Sequence, residues 1–92
     1  PETKFNLVFG AMSDKNVSEI LDKIKLITNL LIIAQPSTRR AMPANSIKQI
    51  ADKLQIESII IENPQQAYEY AKSKNEPVIV AGSFYLLADI NY

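Results

Sequence analysis

Four short apolar runs, Phe5–Phe9, Leu30–Ala34, Ile59–Ile61 and Val78–Ala81, limit the folds open to this chain. They are nearly continuous rather than alternating and rich in Val and Ile, as in strands covered on both faces. The segments between them carry helical periodicity. The first places Val17, Ile20, Leu21, Ile24 and Ile27 on one stripe, with Glu19, Asp22, Lys23 and Lys25 mostly off it. The second places Ile47, Ile50, Ala51 and Leu54 at i, i+3, i+4 and i+7. The third is weaker, with Ala67, Tyr70 and Ala71, and reads Tyr68 and Tyr70 as helix surface and core. Its start is well marked: Asn63 can cap, Pro64 suits the first helical position and Gln66 can close a capping box. Pro43 is expected to open the second helix, behind Met42, a poor cap. The closing stretch Phe84–Ile90 is read as helix because Phe84, Leu87 and Ala88 fall at i, i+3 and i+4.

Strands alternating with helices imply right-handed crossovers and a parallel sheet. The expected fold is α/β: a three-layer, Rossmann-like domain with a mainly parallel sheet of about four strands and helices on both faces. At 92 residues, one domain spanning 1–92 fills the length.

Composition removes whole classes of chemistry. The chain has no Cys and no His, which excludes disulfides, structural zinc, cysteine nucleophiles and His-based triads. Ten Lys and Arg balance ten Asp and Glu, unlike a nucleic-acid binder. Residues 1–56 hold eight cations against five anions, and 57–92 two against five, too small an imbalance to point to nucleic acid. The longest unbroken apolar run, Leu30–Ala34, is far short of the roughly 20 residues of a membrane helix, so no membrane partner is expected. No signal peptide is visible, and a thiol-free chain fits the cytoplasm. A start at Pro1-Glu2-Thr3 without Met predicts a piece excised from something longer.

In an open parallel sheet, ligands bind beyond the carboxyl ends of the strands. The residues there are Gly10-Ala11-Met12-Ser13-Asp14-Lys15, Gln35-Pro36-Ser37-Thr38-Arg39-Arg40, Glu62-Asn63 and Gly82-Ser83-Phe84-Tyr85. Both glycines and both arginines of the chain fall at these ends. Lys15, Arg39 and Arg40 with nearby hydroxyls and helix N-termini suit a phosphate or carboxylate. Arg40 is the favoured contact, because a planar guanidinium grips such groups bidentately. Each residue also has a structural reading. Ser83 and Asp14 are read first as helix caps, and Lys15 and Arg39 as solvated loop charges. Gly10 serves either close packing or a positive φ. Neither a Walker-type phosphate loop nor G-x-G-x-x-G is present, so a complete nucleotide site is not expected from this chain alone.

Three segments, in this order and spacing, resemble one family. Leu7-Val8-Phe9-Gly10-Ala11-Met12-Ser13-Asp14-Lys15 is similar to its V-F-G-x-x-x-D-K strand and turn. Gln35-Pro36-Ser37-Thr38-Arg39-Arg40-Ala41-Met42-Pro43 is similar to its x-P-x-x-x-R-A-x-x loop. Val78-Ile79-Val80-Ala81-Gly82-Ser83-Phe84-Tyr85-Leu86 is similar to its closing V-x-V-x-G-S-x-Y-L. The family is the folylpolyglutamate synthase/dihydrofolate synthase group, relatives of the Mur peptide ligases, and the match corresponds to its C-terminal domain.

The resemblance implies an ATP-dependent ligase that joins L-glutamate to folate or dihydropteroate through an acyl phosphate. It implies an N-terminal P-loop domain of the same chain that binds ATP and Mg2+, with the C-terminal domain closing over the site. Candidate substrate or ATP contacts are Ser13, Asp14, Lys15, Arg39, Arg40, Gly82, Ser83 and Tyr85, with no complete catalytic set and no metal ligand in these 92 residues. Three departures stand out. Arg39 occupies a position where the family commonly has Pro, and its usual Gly-Glu reads Ala88-Asp89. The D-G-A-H-N-P segment expected just upstream is absent. The isolated chain is therefore expected to be inactive. The alternative is a stand-alone α/β module that binds small anions or regulates without catalysis. A receiver-like version of it needs an acidic cluster where Gly10-Ala11-Met12 stands.

Overall fold

The computed structural model of the chain describes residues 3–91, apart from the side chains of Phe84 and Tyr85. The elements are β1 (Phe5–Gly10), α1 (Val17–Ile24) with a 3₁₀ turn (Lys25–Ile27), β2 (Thr28–Ile33), α2 (Ala44–Lys53), β3 (Ser58–Ile60), α3 (Pro64–Ser73), β4 (Val78–Gly82) and α4 (Phe84–Ala88). The four strands form one parallel sheet in the order β3-β2-β1-β4. Leu7 lies opposite Leu31 and Ile79, and Val8 opposite Ile32 and Val80, so like residues stack across the sheet.

The direction of each strand step decides which face its helix covers. β1 to β2 to β3 runs one way, and α1 and α2 cover one face with Leu7, Phe9, Leu31, Ile33 and Ile47. The step from β3 to β4 runs back past two strands, and a right-handed crossover then places α3 on the opposite face. That second core joins Val8, Ile32, Ala67, Ala71 and Leu86. The central strands are covered on both sides, which explains why their sequence reads as continuous rather than alternating.

Several boundaries differ from the periodic reading. α1 ends at Ile24 rather than running through Ile27, and the Thr28 hydroxyl donates to the Ile24 carbonyl at 2.8 Å, closing the turn. β2 starts earlier than Leu30 and stops before Ala34, while β3 stops before Ile61. Pro43 is the N-cap of α2, not its first helical residue, and offers no side-chain acceptor. That acceptor comes from the preceding loop, where Gln35 Oε1 takes the Ala44 N–H at 3.0 Å. Asp14 caps nothing: Asn16 does, accepting the Glu19 N–H at 3.2 Å. Asn63 caps α3 by accepting the Gln66 N–H at 2.9 Å, with Pro64 opening the helix.

The α4 stripe is also shifted. Leu86 and Ile90 are buried while Leu87 is exposed, because the short helix packs its middle onto the second core. Tyr68 and Tyr70 are both half-buried against that core, with the ammonium groups of Lys72 and Lys74 over their rings at 5.1 and 4.8 Å. No helix among the described residues is long and apolar enough to cross a membrane.

At the opposite end of the strands from the candidate site, a buried Asn6 holds a polar cluster. Its Nδ2 donates to Glu76 Oε1 at 2.9 Å, and its Oδ1 accepts from Asn29 Nδ2 at 3.1 Å. A buried amide is stable only when so partnered, and the pairing ties β1 to β2 and to the entry of β4.

Candidate functional site

The carboxyl end of the sheet is built on two glycines that face each other across β1 and β4. Gly82 has φ of 123°, and a Cβ there would sit 1.8 Å from the Gly10 carbonyl oxygen. Gly10 has another reason to lack a side chain. A Cβ at that position would lie 2.8 Å from the Ala34 carbonyl and 2.9 Å from the Pro36 ring. Of its two readings, close packing is the one observed. Ser83 then donates its N–H to the Gly10 carbonyl at 3.1 Å, and its hydroxyl oxygen accepts the Leu86 N–H at 3.1 Å. Ser83 is thus the cap of α4. Capping uses only a lone pair, so the hydroxyl proton remains free to donate.

The turns after β1 and β2 are zipped together. Ser13 donates its N–H to the Arg40 carbonyl at 2.7 Å, Met42 donates to the Ala11 carbonyl at 2.8 Å, and Met12 faces Ala41 in an antiparallel bridge. A tight turn carries the arginines, with the Ala41 N–H on the Thr38 carbonyl at 3.1 Å. Asp89 fastens this loop from the far end of the chain. Its carboxylate accepts the Ser37 N–H at 2.8 Å and the Ser37 hydroxyl at 2.7 Å. A nearby link joins Gln65 Oε1 to the Asn91 N–H at 2.6 Å.

The three turns after β1, β2 and β4 therefore share one rim, and Ser13, Lys15, Arg39, Arg40, Gly82 and Ser83 all lie on it. Lys15, Arg39 and Arg40 are exposed and make no side-chain ion pair or hydrogen bond among the described residues. Asp14 is exposed in the first turn and likewise unengaged; the Tyr85 side chain falls outside the described residues. The three cations make no ion pair there, but the carboxylates of Asp14 and Asp89 share the rim, so it offers individual cationic side chains to an anion rather than an unopposed positive field.

The space beside the rim has a different character. A groove of about 280 Å³ lies between α1 and β4, with Phe9, Met12, Ile20, Ile24 and Ala81 in its walls. Lys15 and Ser83 also line it, whereas the arginines do not. Its walls suit an apolar group, so anion contact is confined to the rim above. Among the described residues no group of three or more acidic side chains comes together that could hold a metal ion.

The roles of Gln35, Ser37 and Asp89 escaped the sequence reading, which named the first two only as strand-end residues, because each acts through a distant partner. Asp89 had one signal, its position where the resembled family carries Gly-Glu. Asp89→Ala removes two charge-assisted bonds at an exposed site, worth about 1–2 kcal/mol together. The expected result is faster hydrogen exchange at the Ser37 amide with the sheet amides unchanged. Equal exchange at Ser37 contradicts the clamp.

No family model matches the sequence, and no curated protein matches it. Its fold does match solved structures. One is the crystal structure of Helicobacter pylori folylpolyglutamate synthetase, with TM-score 0.71 and 20% identity over 95% of this chain and 21% of that one. Another is a Mycobacterium tuberculosis folylpolyglutamate synthase complexed with ADP and AMPPCP, with TM-score 0.80 and 18% identity over 96% of this chain and 23% of that one. A third, the M. tuberculosis enzyme with ADP, gives TM-score 0.79 at 18% identity, again over 96% and 23%. The chain spans less than a quarter of the length of these structures.

Proposed function

We propose that these residues form the C-terminal domain of a folylpolyglutamate synthase/dihydrofolate synthase, a cytoplasmic ATP-dependent ligase that adds L-glutamate to folate or dihydropteroate. The observation that carries the reading is the rim. The three segments that resemble the family are far apart in sequence, yet their turns are hydrogen-bonded into one edge. The likeness of the whole fold to folylpolyglutamate synthases supports it.

In this reading the active site is completed by an N-terminal P-loop domain of the same polypeptide, which binds ATP and holds Mg2+. The ion there neutralises phosphate charge. An acceptor carboxylate oxygen attacks the γ-phosphorus of ATP, forming an acyl phosphate and releasing ADP. The glutamate amine, having lost its proton, then attacks the acyl carbon. The adduct collapses to the amide as phosphate leaves with the bonding pair.

Glutamate brings two carboxylates and the adduct concentrates further negative charge, so fixed positive donors are needed on both. Arg40 binds a glutamate carboxylate with its planar fork, and Lys15, which also lines the groove, supplies a point charge. Ser83 donates its free hydroxyl proton. Closure of this domain brings the rim to the P-loop domain and expels water, which strengthens each of these contacts. Arg39, one residue from Arg40 in the same turn, contributes general positive potential.

Separate Arg39→Ala and Arg40→Ala changes in the full polypeptide test the loop. Arg40→Ala is expected to lower kcat/KM for glutamate about 100-fold, the scale of one lost charge-assisted bidentate contact. Arg39→Ala is expected to lower it less than tenfold. Unchanged kcat and KM in both variants remove the loop from the site.

A further inference from the structure

The turn that carries the arginines is held at both ends. After them, the Ser13 N–H donates to the Arg40 carbonyl at 2.7 Å and Ala41 bridges to Met12, which ties that end to the turn after β1. Before them stands Ser37, an exposed residue whose N–H and hydroxyl both donate to Asp89. Within the turn, the Arg40 N–H reaches the Thr38 hydroxyl at 3.3 Å and the Ala41 N–H the Thr38 carbonyl at 3.1 Å. The placement of the arginines therefore depends on where Ser37 is held.

Asp89 is well anchored for that task. It follows α4, whose Leu86 is fully buried in the second core, and its neighbour Ile90 is buried there too. The Asn91 N–H donates to Gln65 Oε1 at 2.6 Å, and the Asn91 carbonyl accepts from Gln65 Nε2 at 3.4 Å. Helix α3 thus clasps the chain just past Asp89. At its other end α4 is capped by Ser83, which also lies on the rim. One short helix links Ser83 to the arginine turn.

We propose that Asp89 is a positioning residue for glutamate. By holding Ser37 it sets the turn so that the Arg40 guanidinium meets the glutamate carboxylate, and it does not touch the substrate itself. The role rests on the ligase reading and adds to it a residue that acts through Arg40. Charge is not what Asp89 contributes: a carboxylate near two arginines opposes their pull on an anion, and it pairs with neither of them. It supplies two acceptor oxygens at fixed places, one for the Ser37 N–H at 2.8 Å and one for the Ser37 hydroxyl at 2.7 Å. Placement matters on this scale, because a shift of about 1 Å in a binding group costs up to about 100-fold in rate.

Kinetics and amide hydrogen exchange of the complete polypeptide test the role. Asp89→Ala is expected to lower kcat/KM for glutamate about tenfold and to leave KM for ATP within about twofold. The Arg40 and Ala41 amides are expected to exchange at least ~10-fold faster, with the sheet amides unchanged. Asp89→Asn separates placement from charge. Its Oδ1 accepts the Ser37 N–H and its Nδ2 donates to the Ser37 hydroxyl oxygen, so both contacts survive without the charge. It is expected to recover most of the loss in kcat/KM and the slow exchange. In an Arg40→Ala background, Asp89→Ala is expected to cost less than about a further twofold, because the group it positions is gone. Asp89→Asn as impaired as Asp89→Ala overturns the proposal, and so does a full tenfold loss in the Arg40→Ala background. A wild-type polypeptide that transfers no glutamate overturns the ligase reading instead. The positioning of the turn is then decided by exchange at Arg40 and Ala41: faster in Asp89→Ala but not Asp89→Asn upholds it, and equal rates in all three forms overturn it.

Discussion

Gly82→Ala is expected to be the most damaging single change in the domain, lowering stability by about 3 kcal/mol or more. Two effects act together. The backbone at φ 123° is costly for any residue with a Cβ, by about 1–3 kcal/mol. The added carbon would also sit 1.8 Å from the Gly10 carbonyl oxygen, an atom fixed inside the β1–β4 ladder. Relief requires β1 and β4 to part at their ends, which breaks the bond from the Ser83 N–H and loosens the cap of α4. Gly10→Ala is the internal comparison. Its nearest contacts are at 2.8 and 2.9 Å, one to a carbonyl and one to a proline ring, and its φ is unstrained. A cost of about 1–3 kcal/mol is expected there. Urea melts of the two variants check the ranking, and a Gly82→Ala protein as stable as wild type contradicts the account of this corner.

Phe9→Ala carries the next largest effect. Phe9 is the largest fully buried side chain among the described residues and packs in the α1/α2 core, and truncation of such a residue costs about 3–5 kcal/mol. The value should fall at the low end of that range. Phe9 also forms a wall of the groove beside β4, so the space left behind opens onto an existing solvent-accessible cleft. That removes part of the penalty of an empty cavity and leaves mainly the lost transfer energy. Denaturant melts are expected to show a lower midpoint with an unchanged m-value. A midpoint shift smaller than that of Leu87→Ala, an exposed position, contradicts this packing.

The layered α/β architecture was legible because each strand run is dominated by burial on both faces, a signal confined to a few neighbouring residues. The strand order was not, since β1, β2 and β4 present nearly the same apolar surface and only the packed chain decides which edges meet. Helix starts divided along the same line. Asn63-Pro64 marked α3 with local chemistry alone, whereas α2 is capped by Gln35 from the preceding loop, a contact no local pattern contains. At α1 the capping residue is Asn16 rather than Asp14, and the sign was present in Asn16 followed three residues on by Glu19. Ile20 shows the opposite failure: a residue on the apolar stripe of α1 that the fold leaves 36% exposed.

At the rim, the glycines, Ser83 and the cations could be named from sequence because they cluster after strand ends. The clamp of Asp89 on Ser37 could not, since it joins residues 52 positions apart. The apolar groove was equally hidden. Phe9, Ile20, Ile24 and Ala81 each read as core, and their shared face is open because no helix among the described residues covers β4 on the α1 side.

Transfer of labelled L-glutamate onto folate or dihydropteroate by the complete polypeptide tests the central reading most directly. The account predicts incorporation that requires ATP and releases equal amounts of ADP and phosphate, with none catalysed by the 92 residues alone. Incorporation by the 92-residue chain, or none by the complete polypeptide with every substrate supplied, contradicts it.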